Sequence, residues 1–119
     1  MAEPIDDIAE AIGRYRYNFQ SEAELEAGIA RGLTELGVAF ERQVTIGAGA
    51  VIDLLAGAVG VEIKVEGGLG AITRQLFRYA TSPMIAALIL VTRRGAHRRA
   101  FPATMHGKPF RVVVIEGPL

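Results

Sequence analysis

The stretch VIDLLAGAVGVEIKVEGG, residues 51–68, consists of two aliphatic runs joined by the short turn segment AGA. In the second run Val59, Val61, Ile63 and Val65 alternate with Gly60, Glu62, Lys64 and Glu66. A period of two sends one set to each face of a β-strand. The first run, residues 51–55, holds Asp53 between Ile52 and Leu54, and aspartate is disfavoured inside a strand. Paired as an antiparallel hairpin, the two runs bring Asp53 near Glu62. Adjacent carboxylates repel and each resists ionising; a divalent cation removes that conflict. Asp and Glu oxygens with a backbone carbonyl and retained waters suit Mg2+, with Mn2+ as a substitute. Lys64 shares the face of Glu62, where an ammonium can orient a water or stabilise charge on a phosphoryl group, and the neutral amine can deprotonate a water. Asp, Glu, Lys and a metal together point to hydrolysis of a phosphate ester.

Upstream, residues 38–46 read as a further strand, joined to the hairpin by GAG at 47–49. Before it, Ser21 is an N-cap with Glu24 completing a capping box, and the helix they start ends near Leu36, before Gly37. Its apolar stripe is Leu25, Ile29, Leu33 and Leu36. At about 100° per residue, Glu22 falls in the centre of that stripe, Glu26 close beside it, and Glu24 points away. A carboxylate on the core side of a helix is costly unless it is paired, metal-bound or near a rim. The opening PIDDIAEAI predicts a short helix, with Ile5, Ile8 and Ile12 on one stripe.

Downstream, GGLG at 67–70 breaks the strand pattern and a helix is expected over residues 71–80. Residues 84–92 form a continuous apolar run bounded by turn signals, as in a strand buried on both faces. Residues 93–109 are basic and irregular, with room for a helical turn, and a last strand is expected over 110–116. The fold class is therefore α/β: a mixed central sheet flanked by helices.

Asp53, eight intervening residues and then Glu62–Ile63–Lys64 resemble the D…ExK signature of the PD-(D/E)XK nuclease superfamily. The α-β-β-β-α-β order expected over residues 21–92 resembles that superfamily's restriction-endonuclease-like core, with an extra N-terminal helix and C-terminal strand. The proline that usually precedes the aspartate is absent; Ile52 stands there. Many members direct a glutamate of the first core helix at the metal; Glu22 matches it, with Glu26 in reserve. QLFRY at 75–79 places Gln75 and Tyr79 on one helix face. It resembles the QxxxY element of RecB-like recombination nucleases and their small viral relatives.

The resemblance implies a Mg2+-dependent deoxyribonuclease whose core, about residues 21–92, lies within a single domain over residues 1–119. Asp53, Glu62 and the Ile63 carbonyl would bind metal, with Glu22 assisting. Lys64 would position the attacking water, and Gln75 would help hold Lys64 or a substrate phosphate. Tyr79 would contact DNA. Cleavage would leave a 5′-phosphate and a 3′-hydroxyl, on branched, end-containing or duplex DNA, in recombination, repair or the replication of viral or mobile elements. The alternative is a non-catalytic nucleic-acid-binding or assembly module that keeps this fold.

The whole chain sets further bounds. At 119 residues one domain is expected. Cysteine is absent, which excludes disulfides, thiolate zinc sites and a thiol nucleophile, and fits a cytoplasmic compartment. The first residues lack the basic and apolar regions of a signal peptide, and the apolar run at 84–91 is too short to span a bilayer. No membrane association is therefore expected.

Net charge is zero, yet residues 1–60 carry ten acidic and four basic side chains and residues 61–119 three acidic and nine basic. This polarity suits a polyanion-binding surface, with Arg74, Arg78, Arg93, Arg94, Arg98 and Arg99 as its phosphate contacts. RYRYNF at 14–19 interleaves arginines with aromatics, a pattern that serves either base stacking or packing of the N-terminal helix. His97 and His106 lack zinc-site spacing, and the glycines at 67, 68 and 70 are not followed by the GK[ST] of a P-loop. So small a chain leaves little surface for specificity outside its core. A homodimer or higher homo-oligomer is expected, with the Ile5, Ile8, Ile12 stripe and the last strand as contacts.

Overall fold

The computed structural model describes residues 4–47 and 49–116. In chain order the elements are α1 (Pro4–Gly13), α2 (Glu22–Glu35), β1 (Glu41–Gly47), β2 (Ala50–Ala56), β3 (Val59–Ile63), α3 (Leu69–Ala80), β4 (Ala87–Thr92), α4 (Ala96–Ala100), β5 (Thr104–Met105) and β6 (Lys108–Val114). The strands form one six-stranded mixed sheet in the order β1-β2-β3-β4-β6-β5. Pairing is antiparallel from β1 to β3, parallel through β3, β4 and β6, and antiparallel again at β5. The α/β class and mixed sheet read from the sequence are thus present. Ala48, within the expected GAG turn, lies outside the described residues. No described helix is long and apolar enough to cross a membrane.

Two cores sandwich the sheet. On one face Ile5, Ile8 and Ile12 of α1 and Leu25, Ile29 and Leu33 of α2 pack on Leu54, Val61, Ile63, Ile89 and Val91. On the other, Ile72, Leu76 and Tyr79 of α3 pack on Ile52, Leu88, Leu90 and Phe110. β4 is buried along its whole length, as expected of a central parallel strand covered on both sides. Gly60 is closely covered by Ile52 of β2 and by Ile85, in the segment between α3 and β4: a Cβ there would lie 2.7 Å from Ile52 Cδ1 and 2.8 Å from Ile85 Cδ1.

Local chemistry starts α2 where expected, whereas α3 begins at Leu69, two residues earlier than expected. Ser21 Oγ accepts the Glu24 amide at 3.1 Å. The Glu24 carboxylate returns to the amide of Gln20, one residue before the cap. The aromatic segment packs inward: the Tyr17 hydroxyl donates to the Ile12 carbonyl, and the rings of Tyr17 and Tyr15 lie against Gly28 and Gly32 of α2. Side chains larger than hydrogen at those glycines would hold the aromatics off the helix. Burial pushes the Tyr17 hydroxyl up to about 12, which suits a phenol that stays protonated as a donor.

Three expectations need correction. The Ile5, Ile8, Ile12 stripe does not face a partner; it is buried in the chain's own core, where α1 packs on β6. The last strand is not a free edge either, because β4 and β5 pair with β6 on its two sides. Finally, the strand expected over residues 59–66 ends at Ile63. β2 pairs with β3 only as far as Leu54↔Val61. Beyond Ile63 only the β4 side still pairs, through the Lys64 amide on the Val91 carbonyl.

The first hairpin rolls over halfway along its length. Leu54 and Ala56 face α2, whereas Ile52, two residues before Leu54, faces α3. Regular alternation would put residues 52 and 54 on one face. On the paired strand, Val44 and Ile46 belong to the α3 side, while Phe40 packs on the α2 side. The register runs from Arg42↔Leu54 to Val44↔Ile52, so the roll falls on Gln43 and Asp53. Gln43 absorbs it with φ of 53°, a left-handed conformation uncommon for a residue with a long side chain.

Candidate functional site

At the roll β2 and β3 separate, and two carboxylates fill the gap. The amide of Ile63 donates to Asp53 Oδ2 at 2.9 Å, and the amide of Asp53 donates to Glu62 Oε1 at 3.2 Å. Each acidic side chain thus takes a backbone N–H that the sheet ladder leaves unpaired, as buried donors require. This answers why an aspartate stands in an otherwise apolar strand. Its side chain continues the pairing where the backbone cannot.

Glu62 is 2 % exposed. Burial raises its carboxyl to about 8 from an ordinary 4.5, and the neighbouring Asp53 charge adds to the rise. Lys64 Nζ lies 3.7 Å from Glu62 Oε2 and acts in the opposite direction, without offsetting burial. At neutral pH this contact therefore joins an ammonium to a largely protonated acid, not to a full carboxylate.

The Tyr79 hydroxyl lies 3.0 Å from Glu62 Oε2 and 3.1 Å from the Val51 carbonyl, and accepts from Gln75 Nε2 at 2.6 Å. A phenol has one proton to give. With Glu62 protonated, Glu62 donates to Tyr79, Tyr79 donates to Val51, and every group is satisfied. With Glu62 ionised, the single phenolic proton must serve either Glu62 or Val51. Burial, then the charge of Glu62, holds the Tyr79 hydroxyl far above its ordinary range. Gln75 and Tyr79 thus share a helix face as their spacing requires, but Tyr79 is 3 % exposed. The expected DNA contact by Tyr79 gives way to a place inside the protein, beneath Glu62.

The glutamates of α2 divide differently from expectation. Glu22, at the start of the helix, accepts the amide of Val65 at 2.9 Å and ties α2 to the chain leaving β3. Glu26, the reserve candidate, connects to Asp53: Gln43 Nε2 donates to Glu26 Oε1 at 2.8 Å and to Asp53 Oδ1 at 3.2 Å. Arg42 sets Nε at 2.9 Å and Nη2 at 2.8 Å from Glu26 Oε2. Arg42 and Gln43 escaped the sequence reading, since an exposed polar strand end predicts no inward role. The one signal was Glu26 on the core side of its helix, a carboxylate in need of partners.

As donors for a divalent cation, Asp53 and Glu62 fit in charge: a cation would take the place of the proton that Glu62 retains. The Ile63 carbonyl points into the same gap, because a residue in a strand directs its N–H and C=O to the same side and the Ile63 amide reaches Asp53. Glu22 does not complete a cluster. Among the described residues no three His, Cys, Asp or Glu side chains form a group that could hold a metal ion.

Of the arginines expected to contact phosphate, Arg74 and Arg78 are exposed on α3 and Arg98 and Arg99 on α4. Arg93 and Arg94 face Glu66 at 3.3 and 4.0 Å, pairs that solvent makes weak and a phosphate can displace. His97 is buried against Thr92, with Nδ1 3.2 Å from Thr92 Oγ1, in a structural place under the arginine loop. Comparison of the chain with protein-family models, curated proteins and solved structures gives no match.

Proposed function

We propose that the protein is a metal-dependent nuclease that hydrolyses DNA phosphodiester bonds at the gap between β2 and β3. The observation that carries this is the Asp53–Glu62 pair: two carboxylates sharing one gap in the sheet, with Lys64 beside them and Gln75 and Tyr79 behind. The α-β-β-β-α-β order from α2 to β4 supports the restriction-endonuclease-like form of the fold, and the spacing of Asp53 from Glu62–Ile63–Lys64 supports the superfamily.

In this role Asp53, Glu62 and the Ile63 carbonyl hold Mg2+ or Mn2+, which supplies Lewis-acid activation of water and phosphate. Lys64 holds the attacking water in line with the scissile bond and stabilises the charge that builds on the phosphoryl oxygens. Tyr79, fixed by Gln75 and Val51, orients the Glu62 carboxyl. Arg74, Arg78, Arg93, Arg94, Arg98 and Arg99 bind the flanking phosphates, an interaction that weakens with salt.

The absence of a third converging carboxylate among the described residues favours a second reading, a non-catalytic nucleic-acid-binding module. A cleavage panel decides between them. Linear, nicked, flapped, four-way-junction and circular single-stranded DNA are incubated with Mg2+ or Mn2+. Cleavage by wild type that disappears in Asp53→Ala supports the nuclease; salt-sensitive DNA binding with no cleavage of any substrate supports the binding module.

A further inference from the structure

We infer that Gln43 is a positioning residue for Asp53, held in a strained backbone conformation so that its amide bridges Asp53 to the Glu26–Arg42 pair. This rests on Asp53 being a working carboxylate of the site proposed above. The backbone at Gln43 has φ of 53°, a left-handed conformation that costs stability in a residue other than glycine. If the roll of the hairpin were the only requirement, glycine would meet it without strain.

The glutamine side chain explains the retained strain. Its NH2 has two protons, and two carboxylate oxygens face it, Glu26 Oε1 at 2.8 Å and Asp53 Oδ1 at 3.2 Å. Two donors meet two acceptors with nothing left over. The far end of the bridge is itself fixed. Glu26 is 8 % exposed, and both Arg42 nitrogens close on its other oxygen. At the near end, Asp53 Oδ2 takes the Ile63 amide. Both oxygens of Asp53 are then held, one from each neighbouring strand, and the plane of its carboxylate is set before any ligand arrives. The roll at Gln43 has a further effect: it turns Arg42 toward α2 while Val44 and Ile46 stay with α3, so that one residue both redirects the strand and supplies the bridge.

The test uses the full chain without metal and two variants. Gln43→Gly removes the amide and the strain; Gln43→Asn tolerates the positive φ but is one methylene too short to span both carboxylates. Amide exchange is followed by NMR, and Mn2+ binding by calorimetry. For Gln43→Gly the thermal midpoint should equal or exceed that of wild type, while the Ile63 amide exchanges about tenfold faster and Val61 is unchanged. Mn2+ affinity should fall about tenfold or more in both variants. Unchanged Ile63 exchange in both variants overturns the inference. So does a uniform rise across β3 and β4, which would mean simple loss of stability. If wild type binds no Mn2+, the nuclease reading fails by itself, and the Ile63 amide alone decides the role of Gln43: faster exchange upholds it and unchanged exchange removes it.

Discussion

The Tyr79 hydroxyl sits 3.0 Å from Glu62 Oε2, buried between α3 and the sheet. Helix α3 thereby supports Glu62 from behind, while the Asp53 amide holds it from the side. Removing the hydroxyl by Tyr79→Phe leaves Gln75 Nε2, the Val51 carbonyl and Glu62 Oε2 short of a partner. A loss of about 1–3 kcal/mol is expected, seen as a lower denaturant midpoint with unchanged slope. Affinity for DNA should hardly move, because the ring is buried. A large loss of DNA binding with unchanged stability would restore Tyr79 to the surface role suggested by its motif.

Glu62 makes stability depend on pH in a defined direction. Its carboxyl is raised to about 8 from 4.5, so the native state holds the proton more tightly than the unfolded chain does. The contribution is fully present below about pH 4.5 and is lost as the pH rises through about 8. Thermal melts of the metal-free protein should show a midpoint that falls between pH 5 and 9. Glu62→Gln should flatten that fall and be the more stable protein at pH 9, by on the order of 2–4 kcal/mol. Parallel pH curves for the two proteins would place the titration elsewhere.

Lys64 has an expected effect on activity and almost none on folding. Its side chain is 24 % exposed and meets Glu62 at 3.7 Å. Lys64→Ala should melt within about 1 kcal/mol of wild type and lose Mg2+-dependent cleavage by 100-fold or more, on the order expected for a lost charge-stabilising group. Wild-type cleavage by this variant removes Lys64 from the chemistry.

Gly60 tests the packing beneath the site. Gly60→Ala would place a methyl 2.7 Å from Ile52 Cδ1 and 2.8 Å from Ile85 Cδ1. Overpacking of about 1–3 kcal/mol outweighs the chain-entropy gain of about 0.4–1 kcal/mol. Net destabilisation is expected in urea unfolding, growing with Gly60→Val. A more stable Gly60→Ala would show that the two methyls can move aside.

Much of this fold is legible along the chain because it is set by local period and local chemistry. The alternation of Val59, Val61 and Ile63, the Ser21 cap with Glu24, the Ile5–Ile8–Ile12 stripe and the turn at AGA each depend on neighbours within a few residues. So does the spacing that puts Gln75 and Tyr79 on one face. These features gave the element order and the α/β class, and they marked Asp53 and Glu62 as unusual.

What the three-dimensional structure alone decided depends on residues far apart in sequence. The roll at Gln43 and Asp53 arises because one hairpin must serve two cores, one under α2 and one under α3, and no local pattern records that demand. The end of β3 at Ile63 follows from the parting of β2, not from any break in the alternation of residues 59–66. The α1 stripe could equally have faced a partner; packing against β6 assigns it to the chain's own core. Periodicity put Glu22 at the centre of the α2 stripe and Glu26 beside it, a ranking of faces that carries no information about partners on other strands. Only the positions of Val65 on one side and Gln43 on the other give one to the strand exit and the other to Asp53.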